Sequence, residues 1–151
     1  MRSWIKNSFW RFNIAIWVLF AVVDFTIRLI VYQDPLRALG FTLLQEPLAF
    51  FISCALYLVY RRPDLSDPFR FRTAAWMVGL SLCAGLLQSS LSHRFIEFTG
   101  WHTPGWTARE EWLFRFIFIW FVYLLWSLVF FGLRTRAQAS RAAERTQQVL
   151  H

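Results

Sequence analysis

Residues 21–32 read AVVDFTIRLIVY, which sets a carboxylate, Asp24, and a guanidinium, Arg28, one helical turn apart in an otherwise apolar run. Such a pair can lock together, hold a charged ligand or exchange a proton. At membrane depth the choice matters, because an ionisable side chain costs at least about 2 to 3 kcal/mol there unless it is paired or faces a wet cavity. Glu46, Gln88, His93, Glu111 and Arg115 are the further candidates for this chemistry. His93, Glu97 and His102 carry metal-ligand atoms but straddle a loop and lack a zinc spacing. The histidines offer no cross-membrane pair for haem. Cys54 and Cys83 fit no disulfide or zinc pattern and read as small buried apolar side chains. No hydrolase nucleophile, P-loop or glycine-rich nucleotide motif is present. The expectation is a chain without catalytic residues, metal or cofactor of its own.

These residues need elements that hold them in an apolar medium. Of the 151 residues, 57% are hydrophobic, more than the roughly half of a soluble protein. Four stretches, 12–32, 41–60, 73–93 and 114–133, each approach the roughly 20 helical residues that cross a hydrocarbon core. The predicted fold class is all-α, an integral membrane four-helix bundle. The first stretch is too long for a cleavable signal and no small-residue cleavage site follows it.

The net charge of +7 is split among segments rather than gathered in one patch, which argues against nucleic acid. Arg2, Lys6 and Arg11 precede the first stretch; Arg61, Arg62, Arg70 and Arg72 lie between the second and third; Arg134, Arg136, Arg141 and Arg145 follow the fourth. The opposite side has only Arg37, Arg94 and Arg109, so the positive-inside rule predicts that both termini are cytoplasmic. Asp24 then lies about eight residues, roughly 12 Å, below the outer end of its span. All strongly polar intramembrane residues are expected in the outer half, where they either strap the helices together or line an outward-facing pocket for a ligand or protons. Trp10, Trp101, Trp106, Trp112 and Tyr60 read as interfacial anchors, and Trp101 with Trp106 could box a quaternary amine.

Local signals set the helix ends. Asp34-Pro35 and Asp67-Pro68 each place a capping carboxylate before a proline in the first turn. The second helix should run from Pro35 with a kink near Pro47, and the third from Pro68 to about Thr99, ended by Gly100. Thr107 and Glu110 form a capping box for the last helix. After Gly132 that helix meets neither glycine nor proline and should continue into the cytoplasm. Gly132, Thr135, Ala139, Ala142, Thr146 and Val149 recur at spacings of three and four, as a seam for a partner helix would.

Residues 123–151, YLLWSLVFFGLRTRAQASRAAERTQQVLH, resemble the last membrane helix and signalling linker of bacterial sensor histidine kinases of the LytS/AlgZ-like class. In that class a span with Trp-Ser and Phe-Gly near its end, here Trp126-Ser127 and Phe131-Gly132, passes into a charged, alanine-rich helix. The resemblance implies a membrane sensor domain over 1–133 and a cytoplasmic linker helix over 134–151, stopping before any kinase core. It further implies a multi-pass protein of the bacterial inner membrane, a homodimer, and a cognate response regulator reached through that core. ATP and Mg would belong to the core alone. His151 does not match the family's phosphoacceptor, whose flanking Asn-Pro and Phe-Leu-Phe-Asn are missing. Membrane domains of LytTR-type regulators follow the same logic, and the other class is a stand-alone small membrane protein or subunit of a membrane complex. Continuation of the reading frame past residue 151 separates these. A transporter or channel would need a polar path through the inner half as well.

Overall fold

The structure, a computed structural model, describes the backbone of residues 2–65, 67 and 70–150 and the side chains of residues 8–65, 67 and 70–149. Among these residues there are four long helices: α1 (Arg2–Tyr32), α2 (Pro35–Tyr60), α3 (Phe71–Thr99) and α4 (Ala108–Leu150). A single 3-10 turn, Pro63–Leu65, lies between α2 and α3. Each long helix is long and apolar enough to cross a membrane, the pattern of a multi-pass membrane protein.

Local chemistry explains most of the boundaries. Gln33 ends α1 in the left-handed region (φ 52°), and Asp34 then caps α2 by accepting from the backbone N–H of Leu36 at 2.9 Å and of Arg37 at 3.3 Å. Gly100, at φ 69°, closes α3 with its N–H on the Ile96 carbonyl. The Thr107 N–H and hydroxyl both donate to Glu110 Oε2, and the Glu110 N–H returns to Thr107 Oγ at 3.3 Å, a reciprocal capping box. α2 contains Pro47, and α4 runs through 43 residues. The expected start of α3 at Pro68 lies outside the described residues; the helix is described from Phe71, with Arg70 as a cap that makes no side-chain capping bond.

The packing is inverted relative to a soluble protein. Leu19, Val22 and Ile30 are 63%, 61% and 71% exposed, whereas Asn13, Ser53 and Ser81 are fully buried. An apolar exterior, with polar side chains buried among the aromatic and aliphatic residues of the core, fits a lipid solvent. Cross-contacts give the order of helices. Trp17 meets Ser53 and Arg28 meets Gln45, Gln45 meets Ser92, Gln88 meets Tyr123, and Asn13 meets Trp126. Sequence neighbours are therefore antiparallel, and α4 returns beside α1. One end of the bundle holds the 33–34 and 100–107 connections and is called here the turn end; the other holds the 61–70 connection.

α3 approaches α4 through small side chains. A Cβ on Gly85 would stand 3.1 Å from the backbone Cα of Trp120, with Ser81 and Ser89 one turn to either side. The obstacle is backbone, so it yields only if α4 moves. Gly85→Val is expected to lower stability by about 1 to 3 kcal/mol, measured by unfolding in detergent micelles; an unchanged midpoint would show that α4 adjusts freely at this contact.

Two expectations about individual side chains are corrected. Tyr60 is not an interfacial anchor: it is fully buried, and its hydroxyl is 3.1 Å from that of Ser127. Cys83 is exposed on the apolar surface and Cys54 only half-buried, because the helix rotation that buries Ser81 and Ala84 turns Cys83 outward.

Candidate functional site

A cavity of about 410 Å³ occupies the turn-end half of the bundle. Its two long walls are α1, from Trp17 to Tyr32, and α4, from Glu111 to Tyr123; α2 supplies the floor through Phe41, Gln45, Glu46 and Ala49. Ile27 and Val31 on α1 and Phe114 and Phe118 on α4 line the cavity and are also exposed, so its mouth lies between these two helices. Away from the turn end the same helices close together. There the Trp17 and Tyr123 rings are 6.0 Å apart, and Phe9 packs on Trp126 and Phe130.

Asp24, Arg28, Glu46, Gln88, Glu111 and Arg115 all line this one cavity. Asp24 and Arg28 form an ion pair with about one-eighth of each side chain exposed. Arg28 also donates to Thr42 Oγ at 3.1 Å and Gln45 Oε1 at 2.7 Å on α2. Gln45 passes the connection on, donating to Ser92 Oγ at 3.0 Å on α3. Gln88, also on α3, donates to the Gln45 carbonyl and accepts from the Tyr123 hydroxyl on α4. One chain of hydrogen bonds thus links all four helices, as buried polar groups require partners where water is absent.

Glu111 is 3% exposed and does a different task. Its carboxylate accepts from the Thr103 N–H at 3.0 Å, the Thr103 hydroxyl at 2.6 Å and Arg115 at 3.2 Å, and lies 3.3 Å from His102 Nδ1. It fastens the 100–107 connection to α4. Of the two carboxylates that could share the Arg28 and Arg115 guanidiniums, Glu111 pairs with Arg115, whereas Glu46 forms no ion pair among the described residues and has its Oε2 buried without a hydrogen-bond partner. Its carboxyl lines the same cavity as that of Asp24.

His93 is not brought to the cavity. It pairs with Glu97 at 3.4 Å on the face that meets Ala108, Arg109 and Trp112, while His102 turns to Glu111. His93, Glu97 and His102 therefore do not converge. Trp101 and Trp106 are separated too: Trp101 packs on Phe41, Phe95 and the bare backbone of Gly40, and Trp106 packs on Phe114 at the cavity.

The expected confinement of polar residues to the turn-end half is corrected by a second node at the other end. Asn13 Oδ1 accepts from the indole N–H of Trp17 at 3.0 Å, the Ser53 hydroxyl at 3.0 Å and the indole N–H of Trp126 at 3.1 Å. This joins α1, α2 and α4 where α1 and α4 converge. A polar residue inside an apolar run, with tryptophan at i+4, was the available signal; it sat too near the start of the 12–32 stretch to count as buried. Gln45 carries no charge to mark it in the sequence, although the Asp34 cap fixes a hairpin register that sets Arg28 against residue 45.

The seam positions Thr135, Ala139, Ala142, Thr146 and Val149 lie on the extension of α4, with Thr135 half-buried and the others exposed. Arg134 anchors the start of that extension by donating to the Tyr60 carbonyl. Comparison with family models, with curated proteins and with solved structures finds no match for this chain.

Proposed function

We propose that the chain is the membrane input module of a bacterial two-component sensor histidine kinase, multi-pass in the inner membrane, with both termini cytoplasmic and the turn end facing outward. The observation that carries this reading is that α4 both walls the cavity and continues, without a break, into an exposed basic helix. A ligand that draws α1 and α4 together at the turn end tilts α4 about the contacts at Trp126 and Tyr60, because packed helices move as rigid bodies. The extension from Leu133 onward carries that shift and pairs with a second copy along Thr135, Ala139, Ala142, Thr146 and Val149. The cationic segments on one side and the resemblance at residues 123–151 support the orientation and the kinase assignment. A cognate response regulator is the downstream partner, and ATP and Mg act in the kinase core, not in this chain.

The test uses single cysteines from 135 to 149 in a background lacking Cys54 and Cys83. Disulfide crosslinking between copies is expected to follow helical periodicity, strongest at the five seam positions. Asp24→Asn is expected to change the yield at those positions by about fivefold or more, as an allosteric coupling does. If Asp24→Asn only lowers stability and leaves the crosslinking pattern intact, Asp24 and Arg28 are a strap and the sensing role is lost.

A further inference from the structure

The charges around the cavity do not balance. Asp24, Glu46 and Glu111 face it against Arg28 and Arg115, and both guanidiniums are already engaged, Arg28 with Asp24, Thr42 and Gln45 and Arg115 with Glu111. His102 approaches Glu111 from the exposed connection and is not part of the cavity lining. What is left is Glu46, which lines the same cavity as Asp24, forms no ion pair among the described residues and has its Oε2 buried without a hydrogen-bond partner. Two carboxyls facing one apolar cavity are relieved either by a proton held on one of them or by a positive charge placed between them.

The rest of the cavity says what should carry that charge. Its volume, about 410 Å³, falls within the range of about 300 to 1,000 Å³ typical of small-molecule pockets and far exceeds what a proton needs. Trp17, Phe20, Phe118 and Tyr123 line it with aromatic rings, which attract cations and accept apolar bodies, and within the same cavity Arg28 and Arg115 already sit over the Phe41 ring at 5.9 and 5.4 Å. Anions are disfavoured by Glu46, and a purely apolar guest would leave Glu46 unanswered. The mouth between α1 and α4 has lips of Ile27, Val31, Phe114 and Phe118, which admits an amphipathic molecule sideways from an apolar phase.

We infer that the cavity binds a hydrophobic monocation, an alkyl- or arylalkylammonium, with its ammonium at Asp24 and Glu46 and its apolar body along Trp17, Phe20 and Phe118. This takes the cavity to be the input site proposed above and names the class of molecule it reads.

The test is binding of 4-phenylbutylammonium, 4-phenylbutanol and 4-phenylbutanoate to the purified full chain in nanodiscs, by calorimetry. The ammonium is expected to bind saturably, one per chain, at least about tenfold more tightly than the alcohol, with the carboxylate weakest. Glu46→Gln should lose the preference while still binding the alcohol as the parent does, which shows that its cavity is intact; Glu46→Asp should keep it. Equal uptake of all three compounds, tightest binding of the carboxylate, or an undiminished preference in Glu46→Gln overturns the inference. Adding the ammonium to the crosslinking assay separates the two proposals. Charge-selective binding with an unmoved linker upholds the site and removes the sensing role. A linker shifted by Asp24→Asn in a chain that shows no charge selectivity upholds sensing and removes the ammonium.

Discussion

Arg28→Met is expected to destabilise the bundle by about 3 to 5 kcal/mol, the usual loss when one partner of a buried ion pair is removed. The guanidinium is the hub of the turn-end half, bonded to Asp24 on its own helix and to Thr42 and Gln45 on α2. Without it the Asp24 carboxylate loses its ion pair, and the other guanidinium that lines the cavity, Arg115, is already held by Glu111. Asp24→Asn should be the milder change, because Arg28 then keeps Gln45 and Thr42 and still has Glu46 nearby. The double variant Asp24→Asn, Arg28→Met should recover part of the loss, since the charge left stranded by the single change is gone. The measurement is equilibrium unfolding in micelles for both single variants and the double. If Arg28→Met is no worse than Asp24→Asn, the charges are solvated by water in the cavity and not by each other.

Asn13→Leu ranks next, with an expected loss of about 2 to 4 kcal/mol. The asparagine side-chain oxygen takes three donors, but their fates differ. Trp17 retains a bond to Ser53 Oγ at 2.9 Å, and Ser53 retains the Phe50 carbonyl at 2.7 Å. The Trp126 indole N–H retains nothing that is described, and its ring is 1% exposed. The cost is therefore one stranded donor plus the weakened contacts between α1 and α4. Trp126→Phe in the Asn13→Leu background should recover the stranded-donor part, which a double-mutant cycle isolates. A loss below about 0.5 kcal/mol would mean that lipid or neighbouring backbone satisfies the indole as well as Asn13 does. This node is also the point about which α1 and α4 would pivot, so the same variant should loosen the linker crosslinking pattern.

Much of the architecture is legible in local chemistry. Asp34 before Pro35, Gly100 after Thr99 and the Thr107–Glu110 box each act within four residues of themselves, so they mark helix ends without knowledge of any neighbour. The unbroken composition after Gly132 likewise carries α4 on to Leu150. Apolar length alone sets four helices able to cross a membrane, and the pairing of Asp24 with Arg28 needs only the i, i+4 geometry of one helix.

Tertiary structure decided which of the polar residues face one another. Spacing gives a residue's angle around its own helix, but not the rotation and register of the helix beside it. Hence Glu111 takes the Arg115 guanidinium while Glu46 lines the cavity with no ion pair among the described residues; His93 faces away from the cavity; and Cys83 turns outward while Tyr60 turns in. Hence also Asn13 is the node that joins three helices, a role that its position at the edge of an apolar run does not announce. The cavity is the clearest case. It exists because α1 and α4 converge on Asn13 and Trp126 and part toward the turns, and that divergence belongs to two helices separated in the chain by α2 and α3.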